Sequence, residues 1–267
     1  MKLSAMTRWK VFSLTIVILV SAIDVMAQDG VFTGYARDPE TNSLLYVENH
    51  YVNRLGATDE RRVVLYRCSN QGPAFARKTL NYAVGRLAPE FQFEDARLGY
   101  LEGLRREGSR KNVFLRDAID APQRSAMLKL DKGLVADAGF DELVRQNWSK
   151  LEAGDSLRFS FLVPSRLDYL SFKIKKIGEI KIDNEPASII QLNLSGVLGW
   201  FLPNIEVSYR QRDRALMRYA GVTNVRDLES RNVVARIDFP AAERRLTDPL
   251  DFEALRKEPL VGRCPAS

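Results

Sequence analysis

The chain has 267 residues and a formal net charge of +6, with 45% hydrophobic, 28% charged and 9% aromatic side chains, a balance that excludes disordered and fibrous classes and leaves a globular fold with a substantial core. Its two cysteines and single histidine exclude four-thiolate and histidine-based metal sites. A modest positive charge without a basic cluster argues against a nucleic-acid partner.

Residues 1–27 carry Lys2, Arg8 and Lys10, then an apolar run from Val11 to Val20, then small residues up to Ala27, which is the layout of a secretory signal. The run is shorter than the about 20 residues needed to span a bilayer, and Asp24 interrupts its extension. Cleavage after Val25-Met26-Ala27 makes Gln28 the mature start of a periplasmic or secreted protein, with 28–267 as a single β-rich domain. The alternative is an uncleaved anchor running to Ile23. No cysteine follows the cleavage site, which argues against a lipid-modified N-terminus.

Val31 to Arg37 and Ser43 to Val52 alternate apolar and polar residues around Asp38-Pro39-Glu40-Thr41-Asn42, which predicts a hairpin. Strands are expected at 62–68, 74–80, 97–105 and 111–116, in a less regular register. Cys68 ends the first of these, and Cys264 lies three residues from the C-terminus. After export they have only each other to pair with, so Cys68–Cys264 is read as a disulfide; two free thiols are the alternative. His50 reads as a surface histidine, and no Gly-x-Ser-x-Gly elbow supports a nucleophilic site built on it. Glu94-Asp95, Asp137 with Asp141, and Asp227 with Glu229 lack the spacing of a glycosidase pair or a cation site. The chain is therefore expected to be no enzyme and to need no cofactor.

Beyond the polar stretch 117–137, an amphipathic helix is expected at 139–152, with Phe140, Leu143, Val144, Trp148 and Leu151 on one face. Asp137 is placed to cap it, and Gly154 to end it. Period-two alternation then runs through Leu157 to Val163, Leu170 to Ile174, Ile190 to Leu194, Ile205 to Tyr209 and Val233 to Phe239, an antiparallel meander. Between two of these strands the connection 196–203 carries Val197, Leu198, Trp200, Phe201 and Leu202, although connections are usually polar. It is either a plug closing one end of the sheet or an apolar rim touching a membrane. Asp248-Pro249 marks the start of a short C-terminal helix running to about Arg256.

Ile205-Glu206-Val207-Ser208-Tyr209, the turn Arg210-Gln211-Arg212-Asp213-Arg214 and the segment from Leu216 to Asp227 resemble a pattern in uncharacterised secreted proteobacterial proteins, over roughly residues 155–240. Within it, Gly221 reads as a turn residue after Tyr219. More loosely, a curved antiparallel meander around one amphipathic helix is similar to the half-barrels of the periplasmic lipoprotein carriers LolA and LolB. That resemblance implies an apolar cavity for acyl chains on the concave face. The chain lacks the lipidated cysteine of LolB and differs from both carriers in length.

The sequence therefore predicts a mainly β protein, an antiparallel half-barrel or open barrel packed on one amphipathic helix, with a short C-terminal helix. The expected function is binding of an apolar ligand such as a lipid, with peripheral membrane contact and no nucleic acid; a structural or protein-interaction module is the alternative. The expected ligand-facing residues are Trp148, Trp200, Phe201, Phe161, Phe172 and Tyr209.

Overall fold

The computed structural model describes residues 29–54, 59–129, 133–195 and 204–265. The first half runs β1 (Gly30–Arg37), β2 (Leu44–Arg54), β3 (Glu60–Arg67), β4 (Ala74–Asn81), β5 (Glu90–Asp95), β6 (Tyr100–Glu107), β7 (Arg110–Arg116), β8 (Arg124–Leu128) and β9 (Leu134–Val135). Helices α1 (Gly139–Gln146) and α2 (Trp148–Glu152) follow. The second half comprises β10 (Ser156–Val163), β11 (Asp168–Ile182), β12 (Glu185–Leu194), β13 (Ile205–Arg210), β14 (Leu216–Arg226), β15 (Asn232–Asp238), β16 (Arg245–Leu246) and α3 (Phe252–Lys257).

All sixteen strands form one sheet, in the order β8 to β1 and then β15 to β9, with β16 beside β1. Two meanders thus meet where β1 pairs antiparallel with β15, Tyr35 opposite Asp238. Every further neighbour on this path is antiparallel except β9, which runs parallel to β10. The sheet is open, since its edge strands β8 and β9 do not pair with each other among the described residues. The turn at 164–166 between β10 and β11 packs instead on β6 and β7, so the sheet curls until its two arms touch.

The hairpin at its centre follows from the tip chemistry. Asp38 Oδ1 accepts from the backbone N–H groups of Glu40 and Thr41 at 2.9 and 2.8 Å, and Asn42 takes the left-handed conformation at φ 60°, which asparagine tolerates better than most residues. The five alternating segments over 156–238 form strands, with β11 extended as far as Ile182, but a sixth strand, β14, stands where none was expected. β5, with Phe91, Phe93 and Asp95 as its buried positions, was not foreseen, and it shortens the expected 97–105 strand to one beginning at Tyr100.

Four local expectations are corrected. The helix is two pieces, broken at Asn147, whose φ of −110° and ψ of 17° leave the helical region while its side chain donates to Leu143 O at 2.9 Å. Phe140, Leu143, Val144 and Leu151 are buried against the sheet as expected, while Trp148 is half-buried. Asp137 does not cap α1: Ala138 precedes the helix without a side-chain cap. The C-terminal helix begins at Phe252 with Asp251 as its cap, accepting from Ala254 N–H at 2.9 Å. Asp29 holds the stretch before it, taking the N–H groups of Thr247 and Leu250, so no helix can start at Asp248-Pro249. Gly221 makes no turn; it lies inside β14 at φ 148°, where a Cβ would come within 2.9 Å of Ile205 Cγ1 on the adjacent strand.

The two faces of β3 and β4 are covered differently. On the outer face, Val63, Leu65 and Ala74 are sealed by Phe252, Leu255 and Leu260 from α3 and the tail after it. Arg67 grips Glu258 through two hydrogen bonds of 2.7 and 3.0 Å, Val261 N–H donates to Ala74 O, and Cys68–Cys264 is bonded with the Cα atoms 5.5 Å apart. The disulfide fits an oxidising, extracytoplasmic compartment. On the inner face the same strands border a cavity.

Candidate functional site

Register decides which side chains face that cavity. Cross-strand pairing sets His50 of β2 opposite Val64 of β3, Val64 opposite Lys78 of β4, Lys78 opposite Phe93 of β5 and Phe93 opposite Glu102 of β6. One row of inner positions therefore carries an imidazole, an ammonium and a carboxylate. In the row beside it, Glu48 stands opposite Tyr66. The cavity is half-open and has a volume of about 560 Å³.

The wall built by β2 to β6 is a polar network. Lys78, 9% exposed, donates to Asp137 Oδ2 at 2.6 Å, and Asp137 Oδ1 accepts from Ala138 N–H at 2.8 Å. Asp137 itself sits in the left-handed region at φ 46°, a conformation that costs a non-glycine residue energy and recurs at functional sites. The chain can turn there because Gly139 leaves room: a Cβ on it would lie 1.9 Å from Leu87 O. Glu102 accepts from the Tyr100 hydroxyl at 2.7 Å and from Asn224 Nδ2 at 3.3 Å. His50 Nε2 and Glu48 Oε2 are 2.9 Å apart, and the imidazole stacks on Phe32 with ring centroids 4.3 Å apart. His50 is therefore an inward-facing residue, not a surface one, because its parity on β2 matches that of Tyr46 and Glu48.

Burial governs the electrostatics. It pushes the His50 imidazole below its ordinary value although Glu48 opposes the shift, and it raises the Glu102 carboxyl despite the Tyr100 hydroxyl and Lys78. Burial also works against the Lys78 ammonium, but Asp137, Glu48 and Glu102 outweigh it and hold the group charged. The Tyr66 phenol is raised well above its usual value by burial and by the carboxylates around it.

The opposite wall, from β10 to β13, is apolar: Phe161, Leu170, Phe172, Leu192, Leu194 and Ile205 face the space. Phe161 and Phe172 meet edge-on at 5.8 Å. Two of the expected ligand-facing residues thus border the cavity. Trp148 and Tyr209 pack edge-on against each other at 6.5 Å and lie outside its lining. Tyr209 reaches the site indirectly, donating to Asp141 Oδ1 at 2.7 Å. Trp200 and Phe201, with the whole 196–203 connection, lie outside the described residues, as does the expected signal segment.

The polar wall was missed by sequence reasoning. The signal was present as charged residues on the apolar parity of a strand: Lys78 between Ala76 and Leu80, and Glu48 and His50 in line with Tyr46. A second hollow of about 600 Å³ lies beside α3, bordered by the exposed residues Arg61, Arg105, Arg106 and Arg256. Among the described residues, no group of three or more His, Cys, Asp and Glu is arranged to hold a metal ion.

No family model matches the chain, and no curated protein matches it. Among solved structures it is similar to a β-barrel-like protein of domain of unknown function DUF1849 from Brucella abortus, at 10% identity over 83% of this chain and 98% of that one, with a TM-score of 0.48. It is also similar to a DUF1329 family protein from Desulfovibrio piger, at 10% identity over 86% and 90% of the two chains, with a TM-score of 0.29. A third likeness is to a candidate outer membrane lipoprotein-sorting protein domain from Vibrio parahaemolyticus, at 8% identity, the same two coverages and a TM-score of 0.27. At these values, function has to be read from this chain's own residues.

Proposed function

We propose that this chain is a periplasmic or secreted binding protein, without catalytic activity, that carries an amphiphile such as a lipid inside its curved sheet. The observation that supports it most is the two-sided cavity. Its volume falls within the about 300–1,000 Å³ usual for small-molecule sites, with phenylalanines and aliphatic side chains on one wall and hydrogen-bonding groups on the other. An apolar tail removes the first wall from water and a polar head meets the second. Peripheral contact with a membrane surface would give the protein access to such a ligand.

The test is native mass spectrometry of the mature protein purified without detergent from its own host, followed by solvent extraction. A co-purifying amphiphile is the expected result. A bare protein that also fails to take up a neutral apolar fluorophore such as N-phenyl-1-naphthylamine would overturn the reading and leave a structural or interaction module.

A further inference from the structure

Resting on the carrier reading, the polar wall points to the chemistry of the head group. We infer that the bound amphiphile carries an uncharged or cationic head that donates hydrogen bonds, a hydroxyl, amide or amine, and that anionic heads are rejected.

Three buried groups on this wall keep unused hydrogen-bonding capacity directed at the cavity. Glu48 is 7% exposed; one of its oxygens is engaged by His50, and no described residue holds the other. Tyr66 is 3% exposed, and its hydroxyl forms no hydrogen bond with any described residue. Lys78 spends one of the three donors of an ammonium on Asp137 and keeps two. Buried polar groups normally find partners, so a wall with a spare acceptor beside spare donors suits a head that both gives and takes a hydrogen bond.

The sign of the field excludes an anion. Glu48, Glu102, Asp137 and Asp141 line the site. Of the cations that line it, Arg166 is exposed, half-buried Arg62 is turned to Glu60 at 2.5 Å, and half-buried Arg226 lies over the Tyr100 ring at 3.8 Å and 3.7 Å from Asp117. Lys78 is left among the carboxylates. A phosphate or carboxylate head would have to shed its water opposite this excess, whereas a hydroxyl or amide is indifferent to it and an ammonium is drawn in.

The experiment uses three ligands with the same ten-carbon chain, decanol, decylamine and decanoate, each displacing N-phenyl-1-naphthylamine from the mature protein at neutral pH. Decanol and decylamine should act at concentrations about tenfold or more below decanoate, the effect of one unfavourable charge contact. Glu48→Gln should narrow that gap, and Tyr66→Phe should weaken decanol binding; the second variant decides the matter if the first does not fold. Decanoate displacing the probe as well as decanol, or a gap that survives Glu48→Gln unchanged, would overturn the head-group inference while the carrier reading stands. A wild-type protein that binds neither the probe nor any of the three would defeat the carrier reading itself.

Discussion

In β2 to β6 the inner positions hold Glu48, His50, Lys78 and Glu102, whereas in β10 to β13 the equivalent positions hold Phe161, Phe172, Leu192 and Ile205. Both arms are antiparallel meanders of one sheet, so backbone pairing determines which residues face inward without regard to their polarity. What differs is the energetic consequence. The apolar arm is stabilised by burial itself, about 25 cal/mol for each Å² removed from water. The polar arm must offset the desolvation of its charges with partners, and a buried ion pair is often no better than apolar side chains of the same size. Stability therefore does not account for the polar wall, whereas the proposed ligand recognition would.

The contrast is broken most severely at Lys78. Lys78→Met leaves the half-buried Asp137 beside Glu48 and Glu102 without its cation, and should cost about 2–4 kcal/mol in urea unfolding. Adding Asp137→Asn should recover part of that loss. A cost below ~1 kcal/mol would mean that this wall is wet and that the two arms differ less than their residues suggest.

Next in size is the disulfide, which ties the polar arm to the tail across a separation of 196 residues. Cys264→Ser should lower stability by about 2–4 kcal/mol, and the outer face of β3 and β4 should lose amide-exchange protection first, since Leu260 and Val261 are held there by the same segment. Equal loss of protection in β10 to β13 would show that the arms unfold as one unit.

On the apolar wall, Phe172→Ala should cost about 1–2 kcal/mol, below the about 3–5 of a fully buried phenylalanine, because one side of the ring already faces the cavity. Its main effect should appear as weaker uptake of the apolar fluorophore. A full core-sized loss with unchanged uptake would place Phe172 in the packing and outside the site.

This contrast also explains what the sequence could reveal. Strands β10 to β13 were legible because their inner positions are apolar, whereas β14 was not, since Thr223, Asn224 and Arg226 line the cavity from it. The strands over 62–116 were blurred by Lys78 and Glu102 on the parity where apolar residues are expected, while Glu48 and His50 lie on the inner parity of a hairpin strand whose register was plain but whose charged positions were read as surface. β5 escaped notice because its alternation has only two strong positions, Phe91 and Phe93. Asp137 was read as a helix cap from its place in the chain. That it turns back at φ 46° to meet Lys78, 59 residues earlier, is a tertiary fact that no local pattern carries.

The subtlest test separates the arms by pH. Burial raises the Glu102 carboxyl above its ordinary value near 4.5, so the folded state holds a proton there that the unfolded chain has already released. Ionised Glu102 therefore works against folding at neutral pH. That penalty fades as pH falls through the raised value and is gone below the ordinary one. His50 runs the other way, since its lowered value makes the unfolded chain take up the proton first and stability falls as pH drops below about 6.5. Both proteins share the His50 contribution, so comparing wild type with Glu102→Gln cancels it. The variant keeps a side chain that can accept from Tyr100 and carries no charge to desolvate. It should be the more stable protein at pH 7–8, by a margin that shrinks steadily toward pH 4, read as the difference in urea midpoints across that range. A margin independent of pH would mean that Glu102 titrates as an exposed carboxylate does, and that water already fills the polar half of the cavity.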